Sequence, residues 1–206
     1  RILFTAPHSV PLVREGHGAH RPEVWTRKLA HEFAQAVEGA FVTWAPEESR
    51  RAFAYYKEHS RPDPSNEDPN FMLRERLASS PWTRKLKEAR STFGSRKHVL
   101  HVDLHGCQDP TPALGSHLVV GLRAMELAGR QEAAEAFRKS LNLFLAFALR
   151  GVSVNTRPCV QLTGACDDEQ HYTLTQQSLS VEGGSWNWAV QLEMSRTLRE
   201  ELNNNQ

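Results

Sequence analysis

Short apolar runs alternate with helical stripes along this chain, and the period of each predicts an element. Ile2–Ala6 reads as a short buried strand, closed by Pro7-His8-Ser9. Arg14–His20 is rich in Gly and His and predicts a loop. Trp25, Leu29, Phe33 and Val37 then repeat at helical spacing, with Pro22 suited to the first turn and Gly39 as the stop. Ala40–Trp44 predicts a second strand, and Glu58–Asn70, with Pro62, Pro64 and Pro69 among acids and amides, predicts a loop. Phe71–Phe93 predicts a helix interrupted near Ser79-Ser80-Pro81. His98–Asp103 and Ser116–Leu122 read as the third and fourth strands, and Arg130–Arg150 as a long helix closed by Gly151. Val152–Asn155 reads as a strand, Leu162–Gly184 as irregular, and Trp188–Met194 as a last strand passing into a terminal helix from Ser195.

Strands alternating with helices predict an α/β fold, a single domain over residues 1–206 with a mixed, largely parallel sheet and helices on both faces. That length buries a core without disulfide or metal staples. In such sheets ligands gather beyond the C-terminal ends of strands. The rule picks out His8, Asp103, His105 and Glu193, since each closes a predicted strand.

A formal net charge of +1 gives no electrostatic basis for partnership with nucleic acid or a membrane surface. The basic run Arg84–Lys97 reads as a solvated helix face, and Trp82, Trp186 and Trp188 as core or pocket wall. The apolar stretch Leu141–Leu149 is too short for a membrane span. Cys107, Cys159 and Cys166 have no CxxC spacing, which leans towards a reducing compartment, the cytoplasm. The chain begins at Arg1 inside a strand-like segment, so its natural N-terminus is expected further upstream.

Asp103 and His105, two apart on a strand, face the same way, and a carboxylate beside an imidazole orients the ring for a metal. Alone, His8 reads as a hydrogen-bonded turn histidine; beside His105 at one sheet edge, metal ligation is the better reading. Zinc would need a third protein ligand and a position for water. Glu23, at the start of a helix, and Glu15, on the preceding loop, are the candidates, with His17 and His20 as further possibilities. Glu23 also suits a first helical turn for its charge alone. In Val190-Gln191-Leu192-Glu193-Met194, alternation turns Gln191 and Glu193 away from Val190 and Leu192. A carboxylate there is costly unless paired or functional, and a strand-end Glu near a metal suits a general base; on an edge strand it would simply face solvent. On composition alone Arg61 is a solvated loop arginine.

In this order the segments resemble the N-formylglutamate amidohydrolase family, relatives of the zinc carboxypeptidases and aspartoacylases. Ala6-Pro7-His8-Ser9 is similar to the family's Pro-His-Ser motif, and Glu23–Leu29 to its Asp-led helix, where the acid is a metal ligand. Glu58-His59-Ser60-Arg61-Pro62 resembles Asp-Leu-Asn-Arg-Pro, whose arginine holds a substrate carboxylate. Val102–Gly106 is similar to the Asp-x-His-Ser strand end, and Val190–Met194 to Val-Gln-Leu-Glu-Leu, whose glutamate is the general base. Glu23 replaces Asp, Ser60 replaces Asn and Gly106 replaces Ser in those patterns.

The resemblance implies a zinc carboxypeptidase-like fold and a zinc-dependent hydrolase of an amide bond in a carboxylate-bearing N-acyl amino acid or peptide. His8, Glu23 and His105 would hold zinc, Asp103 would orient a ligand histidine, Glu193 would be the base and Arg61 the carboxylate clamp. Thr173, Thr175 and Gln176 are expected to contact substrate. Two alternatives stand beside it. One is a carboxypeptidase-like peptidase acting on a peptide or protein C-terminus. The other, motivated by Ser60 and Gly106, is a non-catalytic binding domain on the same fold.

Overall fold

The computed structural model describes residues 1–14, 16–95, 98–109, 117–148 and 170–204. The chain runs β1 (Ile2–Thr5), α1 (Thr26–Ala36), β2 (Ala40–Val42), α2 (Pro46–His59), β3 (Met72–Leu73), α3 (Pro81–Thr92) and β4 (Leu100–Gly106). It continues through β5 (Leu118–Gly121), α4 (Arg123–Leu127), α5 (Gln131–Ala148), β6 (His171–Tyr172), α6 (Leu174–Leu179), β7 (Trp188–Met194) and α7 (Arg196–Asn204). Five strands form one sheet in the order β2-β1-β4-β7-β5, while β3 and β6 form a separate antiparallel pair. β2, β1, β4 and β7 are parallel and β5 is antiparallel to β7, so the sheet is mixed and largely parallel.

Strand parity divides the core. Phe4, Val102, Leu104 and Val190 turn to one face, where they pack with Leu29 and Ala30 of α1, Ala134 of α5 and Leu198 of α7. Leu3 turns to the other face, into a cluster with Ala52 of α2, Trp82 and Leu86 of α3, Leu174 of α6 and the fully buried Trp186. Each such apolar side chain contributes roughly 1.5–3 kcal/mol by leaving water. Helices therefore cover both faces. By the same parity the second face also carries Thr5, His101, Asp103, His105 and Gln191, a buried polar row in an otherwise apolar layer.

Two departures from the sequence pattern have local causes. The pattern marks no element between Trp44 and Glu58, yet α2 fills this stretch. Its buried stripe is small, Ser49 and Ala52, so hydrophobic periodicity is faint there. The start is written instead in Pro46 and in Glu48, whose carboxylate accepts Ala45 N–H at 2.7 Å. Conversely, the helix expected from Phe71 is absent before Pro81. Pairing of Met72 and Leu73 with Tyr172 and His171 holds that stretch extended, and a 3-10 turn, Arg74–Ser79, leads into α3.

The stretch expected to be irregular contains α6, started by a Thr173–Gln176 capping box. Val152–Asn155, Glu15 and residues 162–169 lie outside the described residues. Among the described residues no helix is long and apolar enough to cross a membrane.

Candidate metal centre

Beyond the C-terminal ends of β1 and β4, His8, Glu23 and His105 bring three ligand atoms within 4.8 Å of one another. His8 is fixed by the exit of β1, where Trp44 Nε1 donates to Pro7 O at 2.6 Å and Glu23 N–H donates to His8 O at 2.8 Å. His8 Nδ1 faces Glu23 Oε1 at 2.9 Å, and His105 Nδ1 lies 3.0 Å from His8 Nδ1 and 3.6 Å from Glu23 Oε2. Glu23 Oε2 also accepts Gly106 N–H at 2.8 Å, tying the loop before α1 to the end of β4.

The outer nitrogen of each ring is held by a buried carboxylate. Asp103 Oδ2 lies 2.8 Å from His105 Nε2, and Asp68 Oδ1 lies 2.8 Å from His8 Nε2. Asp103 in turn accepts from Thr5 Oγ1, which also meets His101 Nε2 at 2.9 Å, and from Asn70 Nδ2 at 3.0 Å. Asp68 accepts from Arg14 Nε at 2.9 Å. Asn70 Oδ1 accepts Leu174 N–H at 2.6 Å, so the start of α6 is anchored on the same network.

These contacts decide the charges. Burial opposes a proton on His8, but Asp68 and Glu23 outweigh it and push its pKa up to about 9. His105 is likewise raised, Asp103 and Glu23 overcoming burial. Burial favours neutral Glu23 and Asp68, yet the facing imidazoles hold both carboxylates well below their usual range. His20, whose ring lies tilted against His8 at 4.0 Å between centroids, is kept neutral by burial and by the charge on His8, with a pKa of about 4.

A metal ion fits this donor set. With Asp68 and Asp103 engaging both Nε2 atoms, the two Nδ1 atoms face each other at hydrogen-bond distance. Two imidazoliums would oppose N–H to N–H and two neutral rings would oppose lone pair to lone pair, while one imidazolium donating Nδ1–H to the other ring leaves the three carboxylates, Arg14 and the rings at −3 + 1 + 1 = −1. A cation between them and Glu23 satisfies every donor atom at once, with each outer carboxylate raising ring basicity. His8, Glu23 and His105 can therefore hold a metal ion.

Glu193 lies opposite His105 in the parallel β4–β7 register, so the two share a face of the sheet. It is half-buried, and its Oε1 accepts from Gln191 Nε2 at 2.6 Å. Arg199 of α7 lies at this end of the site, 5% exposed, with Nη1 donating to Met194 O at 2.5 Å and, among the described residues, no partner for Nε. A Cβ on Gly106 would overlap its guanidinium, so the glycine makes room for the arginine. Burial and the nearby Glu193 push the Cys107 thiol up to about 11, so it is not a thiolate nucleophile.

Other expected site residues lie elsewhere. Ser60 is the left-handed C-cap of α2 (φ 53°), and Arg61 beyond it is exposed. Arg61 lines a cavity of about 230 Å³ with Arg14 and His17, and among the described residues it makes no bond to the two imidazoles. The segment that does reach them is Asp68-Pro69-Asn70, with Asp68 Oδ1 on His8 Nε2 and Asn70 Nδ2 donating to Asp103 Oδ2. Thr173 and Gln176 cap α6, and Thr175 Oγ1 meets Thr173 Oγ1 at 2.8 Å; these residues adjoin the site through Asn70. Asp68, Asn70, Arg14, Thr5 and Arg199 are the functional neighbours that strand-end reasoning misses. Compared with protein-family models, with curated proteins and with solved structures, the chain matches none.

Proposed function

We propose that this chain is a zinc-dependent hydrolase of amide bonds, on a fold of the zinc carboxypeptidase type, acting on a carboxylate-bearing N-acyl amino acid or peptide. The observation that carries the reading is the convergence of His8 Nδ1, His105 Nδ1 and the Glu23 carboxylate, with Asp68 and Asp103 behind the rings. Zinc bound there supplies an acidified water and a Lewis acid for the scissile carbonyl.

The rest is done by the chain's own residues. Asp68 and Asp103 keep Nδ1 of each ring turned inward and unprotonated when the ion is held. Glu193, beside His105 on the same face, takes the proton of the attacking water and returns it to the leaving amine. Arg199 is the buried cation at that end, and its charge acts on Glu23 and Glu193.

The test is elemental analysis of protein purified without added metal, beside His105→Ala. The reading expects about one zinc per native chain and none in the variant, with both folded by circular dichroism. Absence of metal from the native protein, even after reconstitution, would overturn it.

A further inference from the structure

Beside Glu23 and Ser9 the surface opens into a cleft of about 810 Å³ between the start of α1 and the outer side of α2. Its walls combine two chemistries. Val24 and Trp25 are exposed at 58% and 38%, and Phe53 on α2 at 45%; with Tyr56 they form an apolar wall. Three of the eight large hydrophobic residues exposed among the described residues thus meet in one place, next to a candidate metal ligand. Apolar groups gathered so closely at a surface mark a binding site rather than chance exposure.

Trp25 adds a second argument. It is the N-cap of α1 at φ 73°, a left-handed conformation that costs an indole-bearing residue about 1–3 kcal/mol.

The other chemistry is cationic. Arg21, Arg27 and Lys28 line the same cleft, and among the described residues that line it Glu23 is the only acid. Lys28 is engaged by Glu32 at 3.4 Å and Asn203 at 2.6 Å. Arg27 touches only Ser49 Oγ, at 3.4 Å, and among the described residues neither it nor Arg21 has a carboxylate within ion-pairing distance. A half-buried guanidinium beside an aromatic wall suits a ligand that brings both an anion and an apolar group.

We propose that this cleft selects the substrate: an N-acylated amino acid with a large aromatic or branched side chain and a free carboxylate. The side chain packs on Trp25, Phe53, Val24 and Tyr56, the carboxylate pairs with Arg27 and Arg21, and the amide lies towards Glu23. The proposal rests on the hydrolase reading for the amide, but the cleft is testable without turnover. A free N-acyl amino acid and the last residue of a peptide share this chemistry.

The test is calorimetric binding to metal-free protein. The probes are N-acetylphenylalanine, its neutral C-terminal amide, N-acetylglycine and a tetrapeptide ending in Phe. N-acetylphenylalanine should bind at least about tenfold more tightly than the amide or the glycine analogue, one factor of ten being about 1.4 kcal/mol. Phe53→Ala and Arg27→Gln, both outside the core, should each weaken it about fivefold and leave zinc affinity unchanged. Tighter binding of the tetrapeptide assigns the site to a peptide C-terminus, and weaker binding to a small molecule. Equal binding of the first three probes, or none, overturns the proposal. Selective binding with no hydrolysis by the zinc-loaded protein supports the cleft and overturns the hydrolase. Hydrolysis of acylated amino acids with no side-chain or carboxylate preference does the reverse.

Discussion

Asp68→Ala probes the least expected part of the site. Asp68 is 2% exposed; one carboxylate oxygen holds His8 Nε2 at 2.8 Å and Asn70 N–H at 2.8 Å, and the other holds Arg14. Removing it frees the His8 ring to turn and leaves Arg14 unpaired. Arg14 is 31% exposed at its side chain and can rehydrate, so the fold should lose only about 2–3 kcal/mol. Loss of a carboxylate behind a ligand histidine lowers metal affinity roughly 10–100-fold, or about 1.4–2.8 kcal/mol. Asp68→Asn should fall between, because its amide oxygen still accepts from Nε2 while its charge is gone. Zinc affinity is read by competition with a chromophoric chelator, and folding by near-ultraviolet circular dichroism. A folded Asp68→Ala protein that binds zinc within about threefold of the native affinity would refute this account of His8.

Three further outcomes are expected. Glu193→Gln should keep zinc and lose hydrolysis by about 10²–10⁴-fold, as for removal of a general base; full activity would remove Glu193 from the mechanism. Gly106→Ser should destabilise by about 1–3 kcal/mol in chemical denaturation, because its Cβ displaces Arg199, and should cost less in an Arg199→Ala background; equal cost in both backgrounds would show that the arginine is not what fills that space. In metal-free protein the raised pKa of His8 contributes stability that is present below about pH 6.5 and lost as pH rises through about 9. The melting temperature of metal-free protein should therefore fall by several degrees across that window, while zinc-loaded protein, whose His8 holds no such proton, should not show the fall.

His8, Asp103, His105 and Glu193 were legible because each closes a strand, and strand ends, parity and turn residues are local signals. Glu23, expected at the start of a helix, lies instead on the loop before α1, held there by His8 O and Gly106 N–H. The partners that orient these groups were not legible, for a physical reason. Asp68 and Asn70 come from a proline-rich excursion whose path is set by tertiary bonds to Val13, His8 and Asp103, and Arg199 arrives from the terminal helix. Arg61, singled out from the sequence, follows the C-cap of α2 and lies apart from the two imidazoles. Hidden in the same way, α2 buries small residues, and the strand β3 exists only through its pairing with β6.

Charge balance bears on whether the proposed site holds a metal ion. Among the described residues three carboxylates, Glu23, Asp68 and Asp103, surround the two imidazoles, and Arg14 is the one guanidinium bonded to them, leaving −3 + 1 = −2 with the rings neutral. Burying that charge uncompensated costs far more than any single contact returns. Protons on both rings would neutralise it, but only by setting two N–H groups against each other at 3.0 Å. One divalent ion neutralises it without that conflict and uses both Nδ1 atoms. A scaffold relieved of catalysis could replace Asp68, Asp103 and His105 by apolar residues at little cost or with a gain in stability, since buried ionic clusters are often matched by well-packed hydrophobic ones. The cluster as it stands, with Gly106 accommodating a buried arginine and Glu193 on the adjoining strand, is therefore most simply balanced by a bound divalent ion.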